Sequence, residues 1–361
     1  MKTHEPPETL PGVQAGAVWS APEVPALSEP ALAATLRRRI ERKTVPAGAL
    51  GWLATLAEQL GLILGTSEPR LREPQLLVFA ADHGIAARGV SAYPSDVTGQ
   101  MVGNFLAGGA AVSVLARQHG IAQTVVDCGV RRDFAPAPGL VIRKLGPGTQ
   151  DCSMGPAMTP AQCRQALANG AELLRTRPGN ALLLGEMGIG NTSAASLLVA
   201  RLGGIDLADV TGAGTGLDAA GIARKTAILR EALAANAEAV EPLDALAALG
   251  GFEIATMVGS VLQAASERRV IVVDGFIASS AVLVASRVAP PVLQRCVFAH
   301  RSDERGHALL LRLLGVAPLL DLGLRVGEGS GAALAWPVLE SACRILNEMA
   351  SFESAGVSDR E

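Results

Sequence analysis

Two glutamates lie in glycine-rich surroundings that an ordinary surface loop does not need. Glu328 falls in "LDLGLRVGEGSGAALAWP" (320–337), between Gly327 and Gly329, with Gly331 beyond and Arg325 upstream. Glu186 falls in "GEMGIGNTSAASLLVA" (185–200), where an apolar run gives way to a helical pattern. Glycine permits backbone angles and close approaches that a Cβ forbids, so such loops suit a ligand pressed against the main chain. The turn after 185 also has the composition of a helix start, with Asn191, Thr192 or Ser193 as N-cap, and backbone N–H groups at a helix start bind anions. The plain alternative is a tight turn that needs glycine only for its angles. A glutamate inside the turn favours a ligand.

A third loop, "GAGTGLDAAGIARK" (212–225), offers Gly214 and Thr215 in a turn and Lys225 on the helix after it. Its GxGxG spacing is not the dinucleotide fingerprint, and no clear strand leads into it. A lysine there is usually solvated; beside a phosphate it is a natural counter-charge. No GxxxxGK[ST] loop and no GxSxG elbow occurs, which argues against a P-loop triphosphatase and a serine hydrolase. "ADH" at 81–83 puts Asp82 and His83 at a strand end, equally readable as a polar turn. The five histidines show no HxH or HxxxH spacing, so no metal is expected. What remains is a metal-free site with phosphate-compatible loops and two acids in glycine settings; it suits transfer of a phosphorylated sugar without singling that chemistry out. A glycosidase needs two carboxylates because its leaving oxygen must be protonated. A cationic pyridinium leaves without a proton donor, so one base, acting on an incoming nitrogen, is enough.

The elements that must hold these loops are legible in outline. Apolar runs recur at 76–84, 124–129, 181–188, 270–275 and 295–302, each ending in polar or glycine residues, with alanine- and leucine-rich helical stretches between them. Apolar runs without alternation are strands buried on both faces, and strand–helix alternation predicts an α/β fold with a mostly parallel, Rossmann-like sheet. Ligands of such sheets bind beyond the carboxyl ends of the strands, where Asp82, His83, Asp127, Glu186, Asp274, His300 and Ser302 fall. Residues 1–28 are proline-rich and expected as an extended or disordered lead-in. Helical stretches at 29–70 and a final amphipathic helix from 337 are expected to form a smaller helical domain (29–70 with 336–361) beside an α/β catalytic domain over 71–335.

Composition narrows the class further. The 361 residues carry a formal charge of -3 and no basic stripe, so no nucleic-acid partner is indicated; "LRRRIERK" (36–43) reads as a solvated helix face. Five cysteines without CxxC spacing fit a reducing cytoplasm. No signal-like core precedes the helices, and no apolar run reaches the roughly 18 residues of a membrane span.

Taken in order, "ADHGIAARGVSAYPSDVT", "GEMGIGNTSAA", "GTGLDAAGIARK", "GGFEIATMVG", "VVDGFIASSAVLVA", "HRSDERGH", "LLDLGLRVGEGSGAALA" and "LNEMASFESAGVSD" resemble the nicotinate-nucleotide–dimethylbenzimidazole phosphoribosyltransferase family over roughly residues 30 to 361. The resemblance implies transfer of ribose 5-phosphate from nicotinate mononucleotide to 5,6-dimethylbenzimidazole. The products are α-ribazole 5′-phosphate, a precursor of the lower ligand of cobalamin, and nicotinate. The anomeric centre inverts, and neither metal nor cofactor takes part. It implies a Rossmann-like domain with a smaller helical one, in a homodimer. It also places the catalytic base on Glu328 and a second acid, of less settled role, on Glu186. Gly188, Gly214, Thr215, Lys225, Ser302, Arg325 and Gly327 are expected around the nucleotide and its phosphate, and Tyr93, Met101 and Met187 around the aromatic base. Arg325 is expected to face the substrate rather than Glu328.

Three positions depart from the family pattern. Ala81 stands where relatives often have glycine, and Tyr93 where some have serine, which leaves adenine, phenolic and other benzimidazole acceptors open. Trp336 has no explanation in sequence. The rival readings are a nicotinamide-dependent oxidoreductase using "GAGTGLD", and a non-catalytic binder of nucleotide or base. The first predicts tight NAD binding; the second requires loss of the acids, yet Glu186 and Glu328 are both present.

Overall fold

The computed structural model describes residues 19–358. Six strands form one sheet: β1 (Gln75–Ala81), β2 (Ala122–Gly129), β3 (Leu140–Ile142), β4 (Ala181–Met187), β5 (Val270–Val273) and β6 (Cys296–Phe298). Their order is β3-β2-β1-β4-β5-β6 and every pairing is parallel. The expected α/β fold is thus found, with the chain reversing its direction of winding between β1 and β4. Open sheets of this kind hold ligands at that switch point.

The unalternating apolar strands follow from burial on both faces. Along β1, Leu77, Phe79 and Ala81 enter one hydrophobic core while Leu76, Val78 and Ala80 enter the other. β5 divides likewise, Ile271 and Val273 to the first and Val270 and Val272 to the second. The first core is covered by Pro160–Arg175, Asn191–Gly203, Phe252–Ser266 and Phe276–Val288, the second by helices from the two chain ends and by Asp96–Leu106 and Ala111–Gln118. Residues 96–118 are the described stretch long and apolar enough to cross a membrane; here they are two helices, both packed on the sheet.

The last long helix begins at Ser330, seven residues before the sequence pattern places it, and runs to Glu348 with Pro337 inside. Its start is the glycine loop itself, so the helix carries Glu328 at its threshold. Trp336 now has an account: it is 1% exposed and fills the second core between this helix and the sheet. Its neighbour helix Trp52–Leu64 and the first helix, Pro30–Glu41, share that core. Of the proline-rich lead-in, residues 1–18 lie outside the described residues. From Trp19 to the first helix the chain forms no helix or strand but is tied down: Val24 is buried, the Leu27 N–H donates to Gln294 Oε1 at 2.7 Å, and the Pro25 carbonyl accepts from Arg295 at 2.5 Å.

β3, three residues at the sheet edge, is the one strand the apolar-run pattern does not show. Leu140 and Val141 are half-buried and Ile142 is exposed, so it lacks the continuous burial that marks the others.

Candidate active site

The loops after β4, β5 and β6 enclose a cleft with about 130 Å³ of room, beside the switch point. Glu186, Met187, Gly188, Gly214, Thr215, Ser302, Arg325, Gly327 and Glu328 all line it. Lys225 stands directly behind: its Nζ donates to Oγ1 of the lining residue Thr192 at 2.9 Å. Tyr93 and Met101 are not part of the lining. Tyr93 is exposed, and Met101 is half-buried against the second core with Met187. The segment before Tyr93 is nonetheless clasped to the cleft. Thr215 Oγ1 accepts the Ala92 N–H at 3.0 Å and lies 2.9 Å from Ser91 Oγ.

The two acids meet through main chain. Glu186 ends β4 and is buried. One of its oxygens accepts the Glu328 N–H at 3.3 Å and the other accepts from Asn191 Nδ2 at 2.5 Å. Asn191 therefore does not cap its helix; Gly190, in a left-handed conformation, occupies that position. The turn 327–329 is left-handed at three successive residues, with φ of +73°, +66° and +93°, and Glu328 is the one that is not glycine. Non-glycine residues held there are strained, and the surroundings must impose the conformation. They do so through Asp274, just beyond β5, whose carboxylate accepts the N–H of Gly329 at 3.0 Å and of Ala332 at 3.1 Å. A carboxylate on the first N–H groups of a helix satisfies donors that lack an intrahelical partner.

The glycines that mark this loop are required first by the protein itself. A Cβ at Gly327 would overlap Glu186 Oε1, one at Gly329 would press on Leu76, and one at Gly331 would overlap the ring of His300. His300 Nε2 lies 3.4 Å from Asp274 Oδ1, both side chains nearly inaccessible.

Crowding beside Asp274 in a buried space changes the acidity of both glutamates. Burial, then the charge of Asp274, pushes Glu186 up to about 8 and Glu328 up to about 7. Hydrogen bonds from the Glu328 amide and Asn191 oppose the rise at Glu186 but do not cancel it. Near neutrality the pair thus holds a proton and can also accept one, the pattern of an acid–base site.

Other groups at the cleft suit an anion. Lys225 is 1% exposed, and burial lowers it to about 8 against the pull of Glu304. Ser302 presents its hydroxyl after its N–H is fixed on His307 Nδ1 at 2.8 Å, and His307 Nε2 lies 3.1 Å from Ser279 Oγ. Burial holds His307 down to about 3, so the ring is neutral, with its proton assigned to Nε2 by these two bonds. Arg325 is exposed on the rim, and its charge acts on Glu304. Beneath the floor, His83 Nε2 meets Glu253 Oε1 at 2.6 Å, both fully buried. Burial works against the imidazolium, but Glu253 and Asp82 together raise the His83 pKa. Asp82 itself accepts the Arg131 N–H at 2.8 Å, so "DH" supports the floor rather than facing the cleft.

Sequence reading did not single out Asn191 and Thr192 as lining residues, Asp274 as the loop anchor, or Glu304. Asp274 had a signal, since it sits at a strand end. Glu304 had none, because its meaning depends on Lys225, which lies on another element.

Fold and cleft define an α/β protein with an acid-bearing, anion-ready ligand site beside the switch point of a parallel sheet. The chain belongs to the DBI_PRT phosphoribosyltransferase family, whose model matches residues 25–357. It is 68% identical, over 94% of its length and 97% of the relative's, to the nicotinate-nucleotide–dimethylbenzimidazole phosphoribosyltransferase of Variovorax paradoxus (strain S110). It is 58% identical, over 93% and 98%, to the enzyme of the same name from Cupriavidus necator. Among solved structures it superposes on the nicotinate-nucleotide-dimethylbenzimidazole phosphoribosyltransferase of Thermus thermophilus with a TM-score of 0.88. Identity there is 41%, and the match covers 92% of this chain and all of that one.

Proposed function

We propose that this protein transfers ribose 5-phosphate from nicotinate mononucleotide to 5,6-dimethylbenzimidazole, giving α-ribazole 5′-phosphate and nicotinate, in the lower-ligand branch of cobalamin synthesis. The observation that carries the mechanism is Glu328. It is a carboxylate at the mouth of the cleft, raised to about 7, on a left-handed turn that Asp274 and Glu186 hold in place.

In the transfer, one ring nitrogen of the benzimidazole attacks the anomeric carbon from the face opposite the nicotinate. The glycosidic bonding pair returns to the pyridine nitrogen, which leaves uncharged, and the configuration inverts. The proton on the other benzimidazole nitrogen passes to Glu328. A base whose pKa lies near the working pH suits this step, because it is ionised often enough and still takes the proton readily. Glu186, near 8, keeps its proton more often and acts by fixing the loop. Lys225, Thr192, Gly214 and Ser302 receive the phosphate, Thr215, Gly188, Gly327 and Arg325 border the ribose and nicotinate, and Met187, Met101 and Tyr93 bound the aromatic base. The clasp between Thr215 and the 91–92 segment supports Tyr93 closing over that base.

A homodimer and a cytoplasmic setting belong to the same reading. The family likeness supports the first. So does a hollow lined by Ile40, Val45, Pro46, Leu50 and Phe352 together with Glu41, Arg42 and Thr44, near the exposed Trp52. Five free, buried cysteines support the second.

The test incubates the protein with nicotinate mononucleotide and dimethylbenzimidazole and follows both products by chromatography. Base-dependent appearance of nicotinate and α-ribazole 5′-phosphate in equal amounts is expected. No nicotinate release with this base or with a panel of benzimidazoles, phenols and adenine overturns the reading.

A further inference from the structure

Lys225 poses a problem when the cleft is empty. A buried ammonium without an anion is disfavoured by the loss of its hydration. Its hydrogen bond to the Thr192 hydroxyl supplies no charge. Yet a cradle made for phosphate has no phosphate between turnovers.

Glu304 is the acid whose charge acts on Lys225. It lines the same cleft as Thr192, Gly214, Ser302 and Arg325. Space is kept for it: a Cβ on Gly212 would lie 2.7 Å from Glu304 Oε2, and one on Gly214 would lie 3.4 Å from Lys225 Nζ. Its own N–H is tied to Ser302 Oγ at 3.3 Å. Burial disfavours its charge, as does Asp303 beside it. Lys225 from the Ala219–Ala235 helix, Arg325 from the loop before Ser330 and the Gly214 amide all favour it. These are the groups assigned above to the phosphate and its surroundings.

We propose that Glu304 is the resident anion of the phosphate cradle, neutralising Lys225 in the empty cleft and giving way to the phosphate of the incoming nucleotide. The proposal rests on reading Lys225 and Gly214 as phosphate contacts. No bond is made or broken; one anion replaces another. A dianionic phosphate with several acceptor oxygens displaces a tethered monoanion, whereas a nucleoside without phosphate cannot.

Calorimetric titration with inorganic phosphate, and then with nicotinate mononucleotide, tests this at pH 7, where Lys225 remains mainly charged and much of the phosphate is dianionic. Glu304→Gln and Glu304→Ala should each bind inorganic phosphate about three- to tenfold more tightly than the unaltered protein. That is the order of effect of one nearby unit charge at water-like screening. The Lys225 side chain, followed by carbon-13 resonance, should titrate at lower pH in both variants. Unchanged or weaker phosphate binding in both, while Lys225→Ala loses affinity, overturns this proposal alone. Phosphate affinity that survives Lys225→Ala overturns the phosphate reading of Lys225 on which it depends.

Discussion

The Glu186 carboxylate accepts the backbone N–H of Glu328 at 3.3 Å, across 142 residues of sequence. The two acids of the cleft are therefore coupled through the main chain. Glu186 fixes the turn that aims Glu328 and shares with it the charge of Asp274. Neither residue can be understood as an isolated carboxylate in a loop.

Gly327→Ala tests this coupling. The added methyl meets Glu186 Oε1, and the residue must keep a φ of +73°. The backbone penalty alone is about 1–2 kcal/mol, and a turn displaced by an ångström costs roughly a hundredfold in rate. A thermal melt and a turnover assay together check it; near-normal activity would show that the turn is not held from Glu186.

The pH dependence of kcat/KM for the nucleotide should be bell-shaped. Glu328 must be ionised to accept a proton, so the rate rises with pH through about 7. Lys225 must be charged to receive phosphate, so the rate falls above about 8 as it loses its proton. kcat/KM reports groups of the free enzyme, whose cleft holds no substrate. Limbs at the ordinary carboxylate and lysine values, roughly 4.3 and 10.4, would mean that burial does not tune either group.

Lys225→Ala should raise KM for nicotinate mononucleotide about tenfold to a hundredfold, the range of a charge-assisted hydrogen bond. KM for the benzimidazole should change little. Steady-state kinetics with each substrate varied in turn separate the two; equal effects would argue against a phosphate contact.

Tyr93→Ser should change the ranking of acceptor bases. Tyr93 is 55% exposed, next to a segment clasped to Thr215. An aromatic face there would cover a flat ring. Competition among dimethylbenzimidazole, benzimidazole and adenine reads the outcome, and an unaltered ranking removes Tyr93 from the base side.

Much of this architecture is legible in the sequence. Strands buried on both faces declare themselves as unbroken apolar runs, and their carboxyl ends place Glu186, Asp274 and Ser302 on one side of the sheet. The short edge strand Leu140–Ile142 is not legible, because an edge needs no continuous burial. The reason for Gly331 is hidden as well, since it lies in His300, 31 positions away and visible as a neighbour only once β6 sits beside β5. The start of the last helix at Ser330 escapes for a related reason: its cap comes from Asp274 on another element, not from the preceding residues. Composition and spacing report on neighbours in sequence, and this site is assembled from distant loops.

The measurement that tests the account most directly compares the protein with its Glu328→Gln variant. Nicotinate mononucleotide binding is read by calorimetry, and nicotinate release is followed with dimethylbenzimidazole present. The account predicts unchanged nucleotide affinity and turnover reduced by about a hundred- to ten-thousandfold, the usual contribution of a positioned base. A variant that turns over at the original rate would contradict it, because the proton of the incoming base would then be going elsewhere.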